Sequence, residues 1–284
     1  MITETILRQR PFVKMSGGGN DFVILDNRDG WFPKKRAPEL VTRLCRRGLG
    51  VGADAVLLLE EDPEADVRMG YYNADGGEAP MCGNGAMCIA RYVRLKHIVE
   101  DEEFEVATGS GTFRACVTDA RQPAVTLWLV PPRDLVLRHL DLEKPPYRRV
   151  GFVDTSTPHV VILVDDVEGL DLRAEGPRFR RDPRWDPPGT NANFVHLVDR
   201  HTIRMRTYER GVEDETLSCG TGATASAILA TLWGLVEPPI VVRTTGGFPL
   251  TVDFTRPLDP EALPVDPRLT GDARVVFRGT LAEV

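Results

Sequence analysis

The chain has 284 residues and a formal net charge of -7, with 35 Lys and Arg against 42 Asp and Glu. That length suits two ordinary domains, and neither the charge balance nor any long basic run leaves a footprint for nucleic acid. No stretch reaches the roughly 18 to 20 consecutive apolar residues of a membrane span, and the start, MITETILRQRPF, lacks the apolar core of a signal peptide. A cytoplasmic location and a small-molecule partner are expected.

In chain order, residues 12 to 15 and 22 to 26 predict short strands flanking the loop that runs from Ser16 to Asp21. Two readings of its three glycines stand. A phosphate cradle needs the loop to open a helix, whereas Phe22 to Leu25 is strand-like, which favours a tight hairpin-like turn. Residues 37 to 47 carry apolar positions at helical spacing and stop at Gly48, and strands are predicted within 49 to 60 and 65 to 73, the latter leading into a turn over Asn73 to Gly77. A helix from Gly83 to Lys96 is apolar on more than one face and is expected to lie buried against sheet. Residues 103 to 107, 112 to 119 and 124 to 130 predict a meander.

Proline pairs at 131 and 145 bracket a linker and the first strands of a second unit. Residues 151 to 164 predict strand, polar turn and strand, 167 to 181 a short helix, and 192 to 199 and 202 to 211 two strands with period-two alternation. A second apolar helix follows Cys219. Residues 241 to 254 predict a hairpin, and 273 to 281 a final strand.

Two stretches share one pattern: MCGNGAMCIA at 81 to 90 and SCGTGATAS at 218 to 226, each a Cys-Gly-x-Gly helix start after strands and a polar turn. Internal duplication accounts for this. Helices are too few for a doubly wound parallel sheet. The expected fold is α/β of the α+β type, with two pseudo-symmetric halves, each a curved, mostly antiparallel sheet around a central buried helix.

A helix N-terminus offers unpaired N-H groups and a partial positive charge, so each thiol is expected to sit where an anion is favoured, its pKa lowered by roughly a unit or more. The same N-H groups suit a carboxylate. With a carboxylate so held, Cys82 and Cys219 are placed to remove and to supply a hydrogen on opposite faces of the adjacent carbon. Five cysteines without paired spacing predict neither a disulfide framework nor a metal site. Lysine occurs only at 14, 34, 35, 96 and 144, none within a few residues of either thiol, which favours a route without pyridoxal phosphate or any other cofactor. His159, beside Pro158, and the pair Glu209 and Arg210 are candidates whose alternatives are a structural histidine and a surface ion pair.

GNDFV at 19 to 23, GVGAD at 50 to 54, NADG at 73 to 76, CGNGA at 82 to 86, Pro158-His159, YERGVEDETLSCGTGA at 208 to 223, TTGG at 244 to 247 and LTG at 269 to 271 together resemble the diaminopimelate epimerase family. The resemblance implies cofactor-free interconversion of LL- and meso-2,6-diaminoheptanedioate, in lysine and peptidoglycan-precursor synthesis. Cys82 and Cys219 would be the acid and base, with His159 and Glu209 near them to modulate their pKa. The backbone of Gly83, Asn84, Gly220 and Thr221 would hold the reacting carboxylate. Asn20, Asn73, Thr157, Asn191, Glu209 and Arg210 would contact the amino and distal groups. A guanidinium at Arg210 suits bidentate grip of a second carboxylate. The resemblance also implies a homodimer and a C-terminal strand that returns to the first half, giving halves of 1 to 125 plus 271 to 284, and 126 to 270. Three departures stand: Ser16 opens the glycine loop, Thr157 puts a hydroxyl where an amide is usual, and Ala55 follows GVGAD. Competing expectations are a related racemase for another amino acid, a cysteine-nucleophile hydrolase or transferase, and a redox-sensing binding protein.

Overall fold

A computed structural model describes residues 7 to 185, 187 to 256 and 263 to 282. The chain divides into two compact units: one runs to Leu127 and takes up the chain again from Gly271, and the other is Trp128–Thr270.

The first unit opens with strands β1 (Pro11–Gly17) and β2 (Asn20–Asp26), joined by a turn in which Gly18 and Gly19 have φ of 57° and 94°. The hairpin reading of the glycine loop therefore holds, since β2 begins where a phosphate-binding helix would have to start. Helix α1 (Ala37–Cys45) follows, with Pro38 in its first turn and Leu40, Val41 and Leu44 on its buried side. Then come β3 (Ala55–Glu60), β4 (Val67–Asn73), the two-residue β5 (Glu78–Ala79), helix α2 (Gly83–Leu95), β6 (Glu103–Thr108), β7 (Gly111–Cys116) and β8 (Ala124–Trp128).

The second unit contains β9 (Arg133–Val136), β10 (Tyr147–Asp154), β11 (Pro158–Val164), helix α3 (Leu172–Arg180), β12 (Asn191–Asp199), β13 (Thr202–Tyr208), β14 (Glu215–Thr216), helix α4 (Gly220–Leu232), β15 (Ile240–Arg243) and β16 (Leu250–Thr255). A long strand, β17 (Val265–Thr280), begins in this unit and ends in the first.

The two units repeat one wiring. In the first, β1 and β2 are antiparallel, β2 and β3 parallel, β3 and β4 antiparallel, β4 and β6 parallel, and β6 and β7 antiparallel. The second gives the same series with β10, β11, β12, β13, β15 and β16. Each sheet is thus mostly antiparallel with two parallel pairs. In the first unit β17 lies beside both β1 and β8, closing the sheet around α2.

Burial explains why α4 is apolar all round and α2 on more than one face. Residues Gly85 to Val93 of α2 and Gly222 to Thr231 of α4 are all buried, each helix packing against strands of its own unit. The shorter helices cover the outer faces: Leu40, Val41 and Leu44 of α1 join Val23, Leu25, Val56 and Leu58 in one core, and Leu172 and Phe179 of α3 join Val160, Ile162 and Phe194 in the other.

One expectation needs adjustment. The final strand starts eight residues earlier than 273, because its first part pairs with β16 and its second with β1. Residues 133 to 136, bracketed by the proline pairs, form the first strand of the second unit and pair with β10, as expected. Among the remaining cysteines, Cys45 and Cys88 are core residues and Cys116 is half-buried.

Candidate active site

Both motif cysteines are helix N-caps. Cys82 precedes α2 with φ -144° and ψ 120°, and Cys219 precedes α4 with φ -134° and ψ 108°. In the second unit the extended backbone turns the thiol back over the first helical turn, where a capping serine or aspartate oxygen would sit. At Cys219 the sulfur accepts from Gly222 N at 3.4 Å and lies 3.6 Å from Thr221 Oγ1.

The glycines of the motif have two different duties. A Cβ on Gly83 would meet nothing within 4 Å, so the first turn of α2 is open to a ligand. On Gly85 it would come within 3.2 Å of Leu57, and on Gly222 within 2.4 Å of Asn193 Oδ1. The second glycine of each motif lets a strand side chain pack directly beneath the helix start.

In the first unit Asn84 Nδ2 donates to Asn20 Oδ1 at 2.9 Å, and Asn20 Nδ2 donates to Asp54 Oδ2 at 3.2 Å. Asp54 is held by Arg47, which also forks onto Asp21 at 2.7 and 2.9 Å. Arg47 and Lys14 together keep Asp21 ionised, outweighing the burial that pushes its carboxyl the other way and holding its pKa down at about 2. Asn73 closes the turn after β4, its N-H donating to Gly77 O. Tyr71, two residues earlier, is raised well above an ordinary phenol by burial and by the neighbouring Cys82 sulfur, so it stays protonated beside that thiol.

In the second unit the predicted residues converge. His159 is fully buried, with Nε2 at 2.9 Å from Thr221 Oγ1 and 3.0 Å from Thr157 Oγ1. Burial and the nearby Arg210 charge lower its pKa to about 3, so the ring is neutral. Asn191 Oδ1 accepts the Arg210 N-H at 2.7 Å, fixing the turn that presents the guanidinium, whose Nη1 donates to Gly189 O at 3.3 Å. Glu209 accepts from Thr216 Oγ1 at 2.8 Å, and burial raises its pKa.

The lowered thiol pKa expected at the helix starts is overturned at Cys219. Burial, reinforced by the Glu209 carboxylate, pushes this thiol up to about 12, and the donors at Thr221 and Gly222 offset only part of that. Without a ligand, Cys219 keeps its proton.

Sequence reasoning missed Asn193, Thr207 and Tyr71. Asn193 and Thr207 are buried polar residues that find partners in each other and in His159, a pairing across strands that leaves no mark in the local sequence pattern.

Among solved structures, the chain is similar to a phenazine biosynthesis protein of the PhzF family from Bacillus anthracis (TM-score 0.68, 14% identity, 96% of this chain and 98% of that one). It is also similar to a hydroxyproline epimerase from Agrobacterium vitis (TM-score 0.60, 17% identity, 96% and 90%). These likenesses set the fold class, two repeated units each wound on a central helix. Its relatives in sequence are more specific. The chain is 40% identical to a diaminopimelate epimerase from Aquifex aeolicus (96% of this chain, 98% of that one) and 38% identical to one from Chlorobaculum tepidum (94% and 99%). The diaminopimelate epimerase family model matches residues 12 to 129 and 151 to 255. The chain belongs to the diaminopimelate epimerase family, and it is an isomerase.

Proposed function

We propose that the protein interconverts LL- and meso-2,6-diaminoheptanedioate, with Cys82 and Cys219 each serving one face of the α-carbon. The observation that carries this reading is the pair of thiols at equivalent helix starts of two repeated units, in a chain of this family. One sulfur takes the α-proton as the other supplies one, and the stereocentre inverts. N-H groups at Gly83, Asn84, Gly220 and Thr221 receive the carboxylate and stabilise the charge that develops as the proton leaves.

Cys219, protonated at rest, starts as the acid of the pair, and on this reading Cys82 starts as the base. Asn20, Asn73, Thr157, Asn191 and Glu209 surround the amino and distal ends, and Arg210 grips the distal carboxylate. A substrate lacking that carboxylate leaves the guanidinium unpaired and is disfavoured. No pyridoxal phosphate is needed. The same reading makes the protein a homodimer of the cytoplasm.

Incubation with LL-diaminoheptanedioate and separation of stereoisomers tests the assignment, with meso product expected. Turnover of a different amino acid without meso product overturns the substrate. Cys82→Ala and Cys219→Ala are each expected to lower epimerisation by about 10²- to 10⁴-fold, the range of one acid or base. Full activity in either variant overturns the two-thiol mechanism.

A further inference from the structure

The two units repeat one wiring, so equivalent places can be compared through strand register. In the first unit Phe22 stands opposite Ala55, and Leu57, two residues on, stands opposite Tyr71 and packs beneath Gly85. In the second unit His159 stands opposite Asn191, and Asn193, two residues on, stands opposite Thr207 and packs beneath Gly222. The upper layer is also matched. Asn20 and Asn84 are hydrogen-bonded in one unit, Thr157 and Thr221 in the other. The apolar pair Phe22 and Leu57 is thus replaced by the polar pair His159 and Asn193 under the helix that carries Cys219.

The hydrogen positions in that polar layer follow from its partners. Asn193 Nδ2 lies 3.1 Å from Val160 O, a carbonyl that only accepts, so this side of the amide is the NH2. The same Nδ2 lies 3.0 Å from His159 Nδ1 and donates to it, while Asn193 Oδ1 accepts from Thr207 Oγ1 at 3.0 Å. A neutral imidazole that accepts at Nδ1 carries its hydrogen on Nε2. That hydrogen faces Thr157 Oγ1 and Thr221 Oγ1. Receiving it, the pair keeps a hydroxyl hydrogen of Thr221 for Cys219 Sγ. The opposite tautomer draws a hydroxyl hydrogen back to the ring, in competition with the sulfur.

We propose that Asn193, braced by Thr207, is a positioning residue that locks His159 as the Nε2-H tautomer and, through Thr221, supplies a hydrogen bond that steadies the Cys219 thiolate when it forms. The second unit is thereby specialised relative to the first, and the two thiols are unequal. The charged groups that face this chain are Glu209 towards Cys219 and Arg210 towards His159. The tie to turnover rests on the epimerase reading; the hydrogen-bond chain itself does not.

Two measurements on the ligand-free protein test it. Nitrogen-15 NMR of histidine-labelled protein, with the His159 signal assigned by its loss in His159→Gln, is expected to show the proton on Nε2. In Asn193→Leu, which reproduces the side chain of the first unit, and in Asn193→Asp, whose carboxylate accepts from Nδ1-H, the lock is expected to be lost. Alkylation by iodoacetamide across pH, with Cys219 and Cys82 followed on separate peptides, is expected to slow about tenfold at Cys219 in both variants. Cys82 is the internal control and stays unchanged. A proton on Nδ1 in the unsubstituted protein, or equal alkylation changes at both thiols in variants that keep their circular dichroism, overturns the proposal. If the tautomer and alkylation results hold while LL-diaminoheptanedioate gives no meso product, the substrate reading fails alone.

Discussion

A fully buried histidine beside the positive charge of Arg210 is a cost that acid reveals. Folded His159 refuses a proton until pH falls to about 3, whereas the unfolded ring takes one near 6.5. The unfolded state therefore binds more protons between these values, and stability tied to His159 is whole above pH 6.5 and falls as pH drops through the window. The expected loss is about 1.4 kcal/mol per pH unit. Thermal melts at several pH values check this: His159→Gln is expected to flatten the slope between pH 6.5 and 4 relative to the unsubstituted protein. An unchanged slope would mean that other groups set the acid limit. The same burial accounts for the failed thiol expectation. A helix start contributes a partial charge and a few donors, and at Cys219 burial, with Glu209 adjacent, outweighs them.

At the scale of elements, the Cys-Gly-x-Gly starts of α2 and α4 were legible because their spacing repeats and because each is followed by a run of small and apolar residues. The two glycines of a motif look alike in sequence, yet their surroundings separate them. Gly83→Ala adds a methyl group to open space and is expected to leave stability unchanged or slightly raised, while obstructing a ligand at the first turn. Gly222→Ala forces a methyl group against Asn193 Oδ1 at 2.4 Å and is expected to cost about 1–3 kcal/mol. Urea titration together with KM for each variant checks the contrast: an equal loss of stability in both would contradict it. Asn193 itself was illegible as a site residue. In the stretch 192 to 199 it reads as one polar position in an alternating strand, and only the register, which sets it beneath Gly222 and opposite Thr207, gives it a task.

For the whole molecule, the repeat was visible in the sequence, as was the part of the last strand from 273 that closes the first unit's sheet, but the part before it was not. Residues 265 to 272 follow Pro264 and contain Pro267, both unfavourable to a strand, and their pairing partner, β16, lies outside any local pattern. The first unit's sheet is closed by residues from the far end of the chain: Pro11 to Gly17 of β1 pair with Ala273 to Thr280. That feature imposes an order on biogenesis. As the chain leaves the ribosome, the first unit is synthesised first but lacks its closing strand until the final residues emerge, whereas the second unit is continuous from Trp128 to Thr270 and is complete sooner. The part made later is expected to become protease-resistant first. Limited proteolysis of stalled nascent chains ending just before and after 271 to 284 reads this directly, and resistance of the first unit before that segment appears would refute it. Until its last strand arrives, Cys82 belongs to a half-built sheet.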